Sequence, residues 1–246
     1  MSEVLEENHL RDIARVRLQN RRQLTQNKKL DYVHREMIFE EKVLYNSMYQ
    51  SLLDDDLSDK QIQLFYSEYY YGSIRGFLIK VMPLALKCFE NENWINYIKD
   101  IRIEESRPKS HIILFEKFLA SINLTLLEQQ SPSTNFINKS KAGYTKNLPY
   151  SCGYALAVEV EADYQIYIVS KLTKRVFGEK IVNGNIWFDV HLAETGEEEH
   201  ANMTINLADS CIKSKNDFDQ FVNGFRQSCK DTETYMVDLY KFLKNF

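Results

Sequence analysis

Punctuation is scarce in this chain, which has eight glycines and four prolines among 246 residues. Long helices tolerate that, whereas a fold of many short strands needs a turn residue every few positions. No apolar run approaches the ~20 residues that cross a bilayer, so no membrane span is expected. The opening residues, MSEVLEENHLRD, are polar and acidic and lack the apolar core of a secretory signal. The cysteines, Cys88, Cys152, Cys211 and Cys229, are scattered with no C-x-x-C pair. They read as reduced thiols, and the cytoplasm is the expected compartment. Positive charge is not in excess either, and a formal net charge of −4 speaks against a general nucleic-acid binder.

What remains is 44% hydrophobic and 27% charged, enough to bury a sizeable core. Residues 1–28 form a polar lead-in with a basic cluster at Arg17, Arg21 and Arg22, expected to be a solvated face. Residues 29–246 are expected to form one all-α domain, a bundle of about seven helices. Between Asp31 and Leu53 the residues Tyr32, Ile38, Phe39, Val43, Leu44, Met48 and Leu52 recur at helical steps. Ser58 and Gln61 then make a capping box for a helix rich in Tyr66, Tyr69, Tyr70 and Phe77. In that helix Gly72 and Gly76 permit close backbone approach, and Pro83 should kink or restart it. Helices are also expected at Trp94 to Ile103, His111 to Leu126, Tyr154 to Leu172, Ile186 to Cys211 and Phe218 to Phe246. Residues 131–149 read as one long polar loop.

There are five histidines, and His9 and His34 lie in charged surroundings that suggest the surface. His111 follows Glu104 by seven residues and Glu105 by six. Seven residues are close to two helical turns, about 10 Å of rise on one face, although Pro108 interrupts the stretch. Glu159 and Glu161 sit among apolar residues, where a carboxylate needs a partner, a metal or a proton. The densest cluster is WFDVHLAETGEEEHANM, with His191, Glu194 and Glu198 on one side of a regular helix. Glu197 and His200 form a Glu-x-x-His step of the kind used in carboxylate-bridged di-iron bundles. For His191 and His200 to face one site the helix must bulge or break, and Thr195-Gly196 is the place expected. Carboxylates and imidazoles without a thiolate suit non-haem iron or manganese.

The order Glu104-x6-His111, then Glu159, then His191 thirty-two positions later, resembles the haem-oxygenase-like di-iron oxidases. These iron-containing redox enzymes include relatives of the chlamydial protein associating with death domains and, more distantly, thiaminase-like proteins. SEYYYGSIRGFLIKVMPLAL resembles the helix that precedes the family's first ligand helix, and the resemblance runs from about residue 35 to the end. The family's last ligand helix carries His-x3-Asp-x2-His. Counted from His191, those places hold Thr195 and Glu198, whereas a two-residue insertion gives them to Glu197 and His200.

The resemblance implies a haem-oxygenase-like fold and two Fe(II) ions that use O2 as co-substrate. Their ligands would be Glu104, His111, Glu159, His191, Glu197 and His200, with Glu105, Glu161, Glu194 and Glu198 as alternates. The substrate would be a small organic molecule: an amine, an amino acid or a fatty acid. Tyr66, Tyr69, Tyr70 and Phe77 are candidates to shape its pocket, though aromatics at helical spacing also serve as plain core. A metal-free helical scaffold that binds a small molecule or a partner protein is the alternative. A homodimer is compatible with the aromatic-rich composition, and no nucleic acid or membrane partner is expected.

Overall fold

The computed structural model describes residues 2–192 and 196–246, with side chains from residue 9 onward except those of 193–198. The described residues form helices and connections, with no strand among them. α1 spans Ser2–Leu18 and α2 spans Lys28–Arg35. Two short 3₁₀ turns, Met37–Glu40 and Lys42–Tyr45, lead to α3 at Ser47–Asp54. The expected single helix from Asp31 to Leu53 is therefore broken. Asn46 explains part of the break, because its side chain caps α3 by accepting from the Tyr49 N–H. The basic cluster is not wholly solvated: Arg17 pairs with Asp163, and Arg21 donates to the carbonyls of His34 and Val160. Leu10, Ala14 and Leu18 of α1 are buried.

α4, Asp59–Tyr69, starts at the capping box of Ser58 and Gln61. It runs on through two π-helical stretches, Tyr70–Arg75 and Phe77–Val81, into α5 at Met82–Cys88, where Pro83 sits in the first turn. Wider π turns push side chains off the regular helical register, a distortion frequent at functional sites. α6 spans Glu92–Glu104 and α7 spans His111–Ser121.

The expected loop at 131–149 is largely a helix, α8, Ser131–Tyr144. Its buried face is Pro132, Ser133, Ile137, Ser140, Gly143 and Tyr144, a stripe with little apolar signal to read from sequence. Its first turn is held by Glu68, fully buried on α4, whose two carboxylate oxygens accept from the Gln130 and Ser133 N–H groups at 2.8 and 2.9 Å. A carboxylate so placed satisfies orphan N–H donors and meets the positive end of the helix dipole.

α9 (Leu148–Phe177) forms the centre, α10 (Glu179–Val182) and α11 (Ile186–Leu192) follow, and α12 (Gly196–Cys211) and α13 (Lys215–Lys244) complete the chain. Thirteen α-helices are thus named where about seven were expected, because several long periodic stretches are divided. α9 and α13 cross with their backbones almost touching. A Cβ at Gly153 would lie 1.8 Å from the Phe221 carbonyl oxygen, and one at Gly224 would lie 1.9 Å from that of Tyr150. Only glycine fits either position.

Candidate functional site

Beyond that close approach α9 lines a cavity of about 100 Å³. Val158, Glu159, Glu161, Ala162, Gln165 and Ile166 of α9 line one wall. The π-distorted helix supplies the opposite wall through Gly72, Ser73, Ile74, Phe77, Leu78 and Val81. At one end stand Glu105, His111, Trp187 and His191, and towards α8 and α13 stand Phe136, Ser140 and Thr232.

The histidine end gathers three segments that are remote in sequence. His111, the first residue of α7, is 3% exposed, and its Nδ1 lies 2.7 Å from Glu105 Oε2. Its Nε2 lies 3.1 Å from the Arg107 carbonyl oxygen. A carbonyl can only accept, so Nε2 carries a proton and Nδ1 faces the carboxylate. The His191 ring sits 4.5 Å from that of His111, centroid to centroid. His191 Nδ1 donates to the Trp187 carbonyl at 2.6 Å, which leaves Nε2 as the nitrogen able to offer a lone pair. His200 Nδ1 lies 3.3 Å from Glu159 Oε2, both residues being buried. His191 and His200 are both buried, while the break expected near Thr195-Gly196 falls on residues 193–195, outside those described.

Burial pushes the Glu105 carboxyl up, yet the hydrogen bond from His111 and the charges of His111, His191 and His200 outweigh it. The net result holds Glu105 below its ordinary range, as an anion. Glu161 is the opposite case. Burial raises it to about 7, only partly opposed by hydrogen bonds with Thr232 and Cys229.

Of the residues singled out from sequence, the structure brings Glu105, His111, Glu159, Glu161 and His191 to the cavity, and His200 to Glu159. Glu104 is turned to the half-exposed rim, where it pairs with Arg107 at 3.2 Å, and its neighbour Glu105 takes the place beside His111. The chain leaves the α6 helix at this point, so the two-turn spacing no longer sets the facing. The Glu194 residue and the Glu197 and Glu198 side chains lie outside the described residues. Tyr69 and Phe77 line the cavity, whereas Tyr66 gives its hydroxyl to Thr173 and Tyr70 to Glu116. His34, expected at the surface, is 1% exposed. Thr232, Ser140 and Phe136 are cavity residues that sequence reasoning missed; they carry no periodicity or motif that marks them.

No protein-family model matches the chain, and no curated protein matches it. Solved structures do. A CADD-like protein of unknown function from Nostoc punctiforme PCC 73102, solved at 2.00 Å, superposes with a TM-score of 0.68 at 17% identity over 97% of this chain and 98% of that one. A structure at 1.35 Å with the same description gives a TM-score of 0.63 at 15% identity, over 98% of this chain and 97% of that one. The fold is CADD-like. That places the chain in the haem-oxygenase-like helical architecture, while the CADD-like neighbours bring no activity or substrate with them. Among the described residues no helix is long and apolar enough to cross a membrane. Nor, among them, are three or more His, Cys, Asp or Glu side chains gathered so as to hold a metal ion.

Proposed function

We propose that the chain is a non-haem iron oxidase or oxygenase whose reaction takes place in the cavity between α9 and the π-distorted helix. One observation carries this reading. Glu105, His111, Glu159, His191 and His200 converge from four segments on one interior region, and the His191 imidazole is anchored to the Trp187 carbonyl through Nδ1. Metal-binding histidines are oriented in this way, with one nitrogen fixed by a carbonyl and the other presented. The residues fit such a group in chemistry, being nitrogen and oxygen donors without a thiolate. Glu105, His111, Glu159, His191 and His200 would hold the metal, two ions being the arrangement preferred from sequence.

When bound, ferrous iron supplies the electrons that activate O2 for oxidation of a small substrate. The chain's own residues do the rest. Trp187 and Arg107 fix the ring orientations of His191 and His111 through their carbonyls. Glu105 holds a negative charge beside the imidazoles, which a bound cation would offset. Ile74, Leu78 and Val81 keep the wall opposite α9 apolar, which excludes water and favours a substrate with an apolar body.

The second reading, a metal-free helical scaffold, draws on the lack of a three-residue metal cluster among the described residues. Anaerobic addition of ferrous iron followed by metal analysis decides between them. About two ions per chain, reduced in His111→Ala and His191→Ala, supports the oxidase. Iron no higher than in an unrelated control protein overturns it and leaves the scaffold.

A further inference from the structure

Three carboxyl groups line the cavity, and they are not equivalent. Glu105 faces His111, and Glu159 faces His200. Glu161 has no imidazole: Thr232 and Cys229 of α13 are its neighbours, and its Oε1 is buried without a hydrogen-bond partner. The residue is 2% exposed. The cations near this end are engaged elsewhere, Lys139 with Asp231 at 3.8 Å and Arg226 with Glu41 at 3.5 Å. Buried carboxylate oxygens are ordinarily satisfied, and Glu68 in the same molecule shows how thoroughly. A carboxyl oxygen that the fold leaves unsatisfied, on a residue that lines a cavity, is a place for a donor that enters from outside.

We propose that Glu161 is a substrate-binding residue that receives the ammonium group of an amine, so that the cavity selects an amine with a short apolar body over a carboxylic acid of the same length. The ammonium offers three donors to the carboxylate and neutralises it. Gln165, Ser140 and Thr232 stand around this end as further polar groups. Phe77, Leu78 and Val81 cover the apolar body, and the far end of the molecule points towards His111 and His191. A carboxylic acid in the same orientation would set two carboxylates together in one buried site, which disfavours both charges. This assignment rests on the cavity being the reaction site, as proposed above, but its test does not depend on iron.

The test is calorimetric titration of the metal-free protein with n-pentylamine and, separately, with pentanoate. Iron content after anaerobic loading is measured on portions of the same preparations. The amine is expected to bind at least about tenfold more tightly than the acid, and Glu161→Gln to abolish that preference while Glu179→Gln, at an exposed carboxylate, keeps it. Equal affinities, a preference for pentanoate, or a preference that survives Glu161→Gln would overturn the assignment, whether or not iron is taken up. Selective amine binding that depends on Glu161 in a protein that takes up no iron would uphold the assignment while the oxidase reading falls. The wild-type comparison of the two probes stands even if a variant does not fold.

Discussion

Two stretches of α9, about 12 Å apart along its axis, are built on opposite terms. Around Gly153 the helix presses against α13 until backbone meets backbone. Around Glu161 the helix lines a cavity, and one oxygen of that carboxyl has no hydrogen-bond partner. Close packing gains dispersion contacts and leaves no room for a ligand, while an open polar wall costs stability and makes recognition possible. The contrast teaches how one long helix serves both ends. The tight crossing fixes α9 and α13 at one point, so that Glu159, Glu161 and Thr232 are held in place further along.

The most damaging way to break this contrast is at the crossing. Gly153→Ala should lower the unfolding free energy by about 3 kcal/mol or more, because the added methyl meets the Phe221 carbonyl and not a flexible side chain. Urea denaturation measures it. A loss below about 1 kcal/mol would mean that the crossing relaxes readily and does not fix the cavity.

Neither glycine of that crossing was legible as a crossing. Gly153 and Gly224 lie in helices that periodicity located well, but a pair distant in sequence leaves no joint mark on either segment. The stretches read best were those with dense apolar spacing and an explicit start, as at the capping box of Ser58 and Gln61. α8 escaped because serine, glycine and proline fill much of its buried face and its N-terminus is satisfied by Glu68 from another helix. At the site, Glu159 was readable as a carboxylate in apolar surroundings, and His111 and His191 were readable by their spacing from nearby carboxylates. Facing was not readable. The choice of Glu105 over Glu104 depends on how the chain leaves α6, and that is set by packing beyond the local pattern.

His34 offers a smaller test of what a buried ionisable group needs. Unlike His111 and His200 it is not paired with a carboxylate, although the Asp31 charge pulls its pKa upward, and neither ring nitrogen has a hydrogen-bond partner. Burial is the main cause, and the Arg21 charge a further one, that hold it down at about 3. A folded value below the unfolded one, near 6.5, means that the unfolded chain takes up the proton first. The stabilising contribution is therefore whole above about pH 6.5 and is lost as pH falls towards 3, at about 1.4 kcal/mol per unit. Between pH 6.5 and pH 5 wild type should lose about 2 kcal/mol that His34→Leu does not. Parallel stability profiles for the two proteins over that range would show that His34 is protonated in the fold.

The smallest effect is expected at the open stretch itself, and its sign is the informative part. Glu161→Leu should raise the stability of the metal-free protein by about 1 kcal/mol, because the buried oxygen without a partner costs more than the hydrogen bonds with Thr232 and Cys229 return. The same change at Glu68 would strip two N–H groups of α8 of their acceptor and must destabilise. Thermal unfolding of the two variants side by side reads the difference. If Glu161→Leu destabilises as Glu68→Leu does, its carboxyl is part of the scaffold and the contrast along α9 collapses. If it stabilises, Glu161 is retained at the expense of the fold, and binding is the reason that fits its position on the cavity wall.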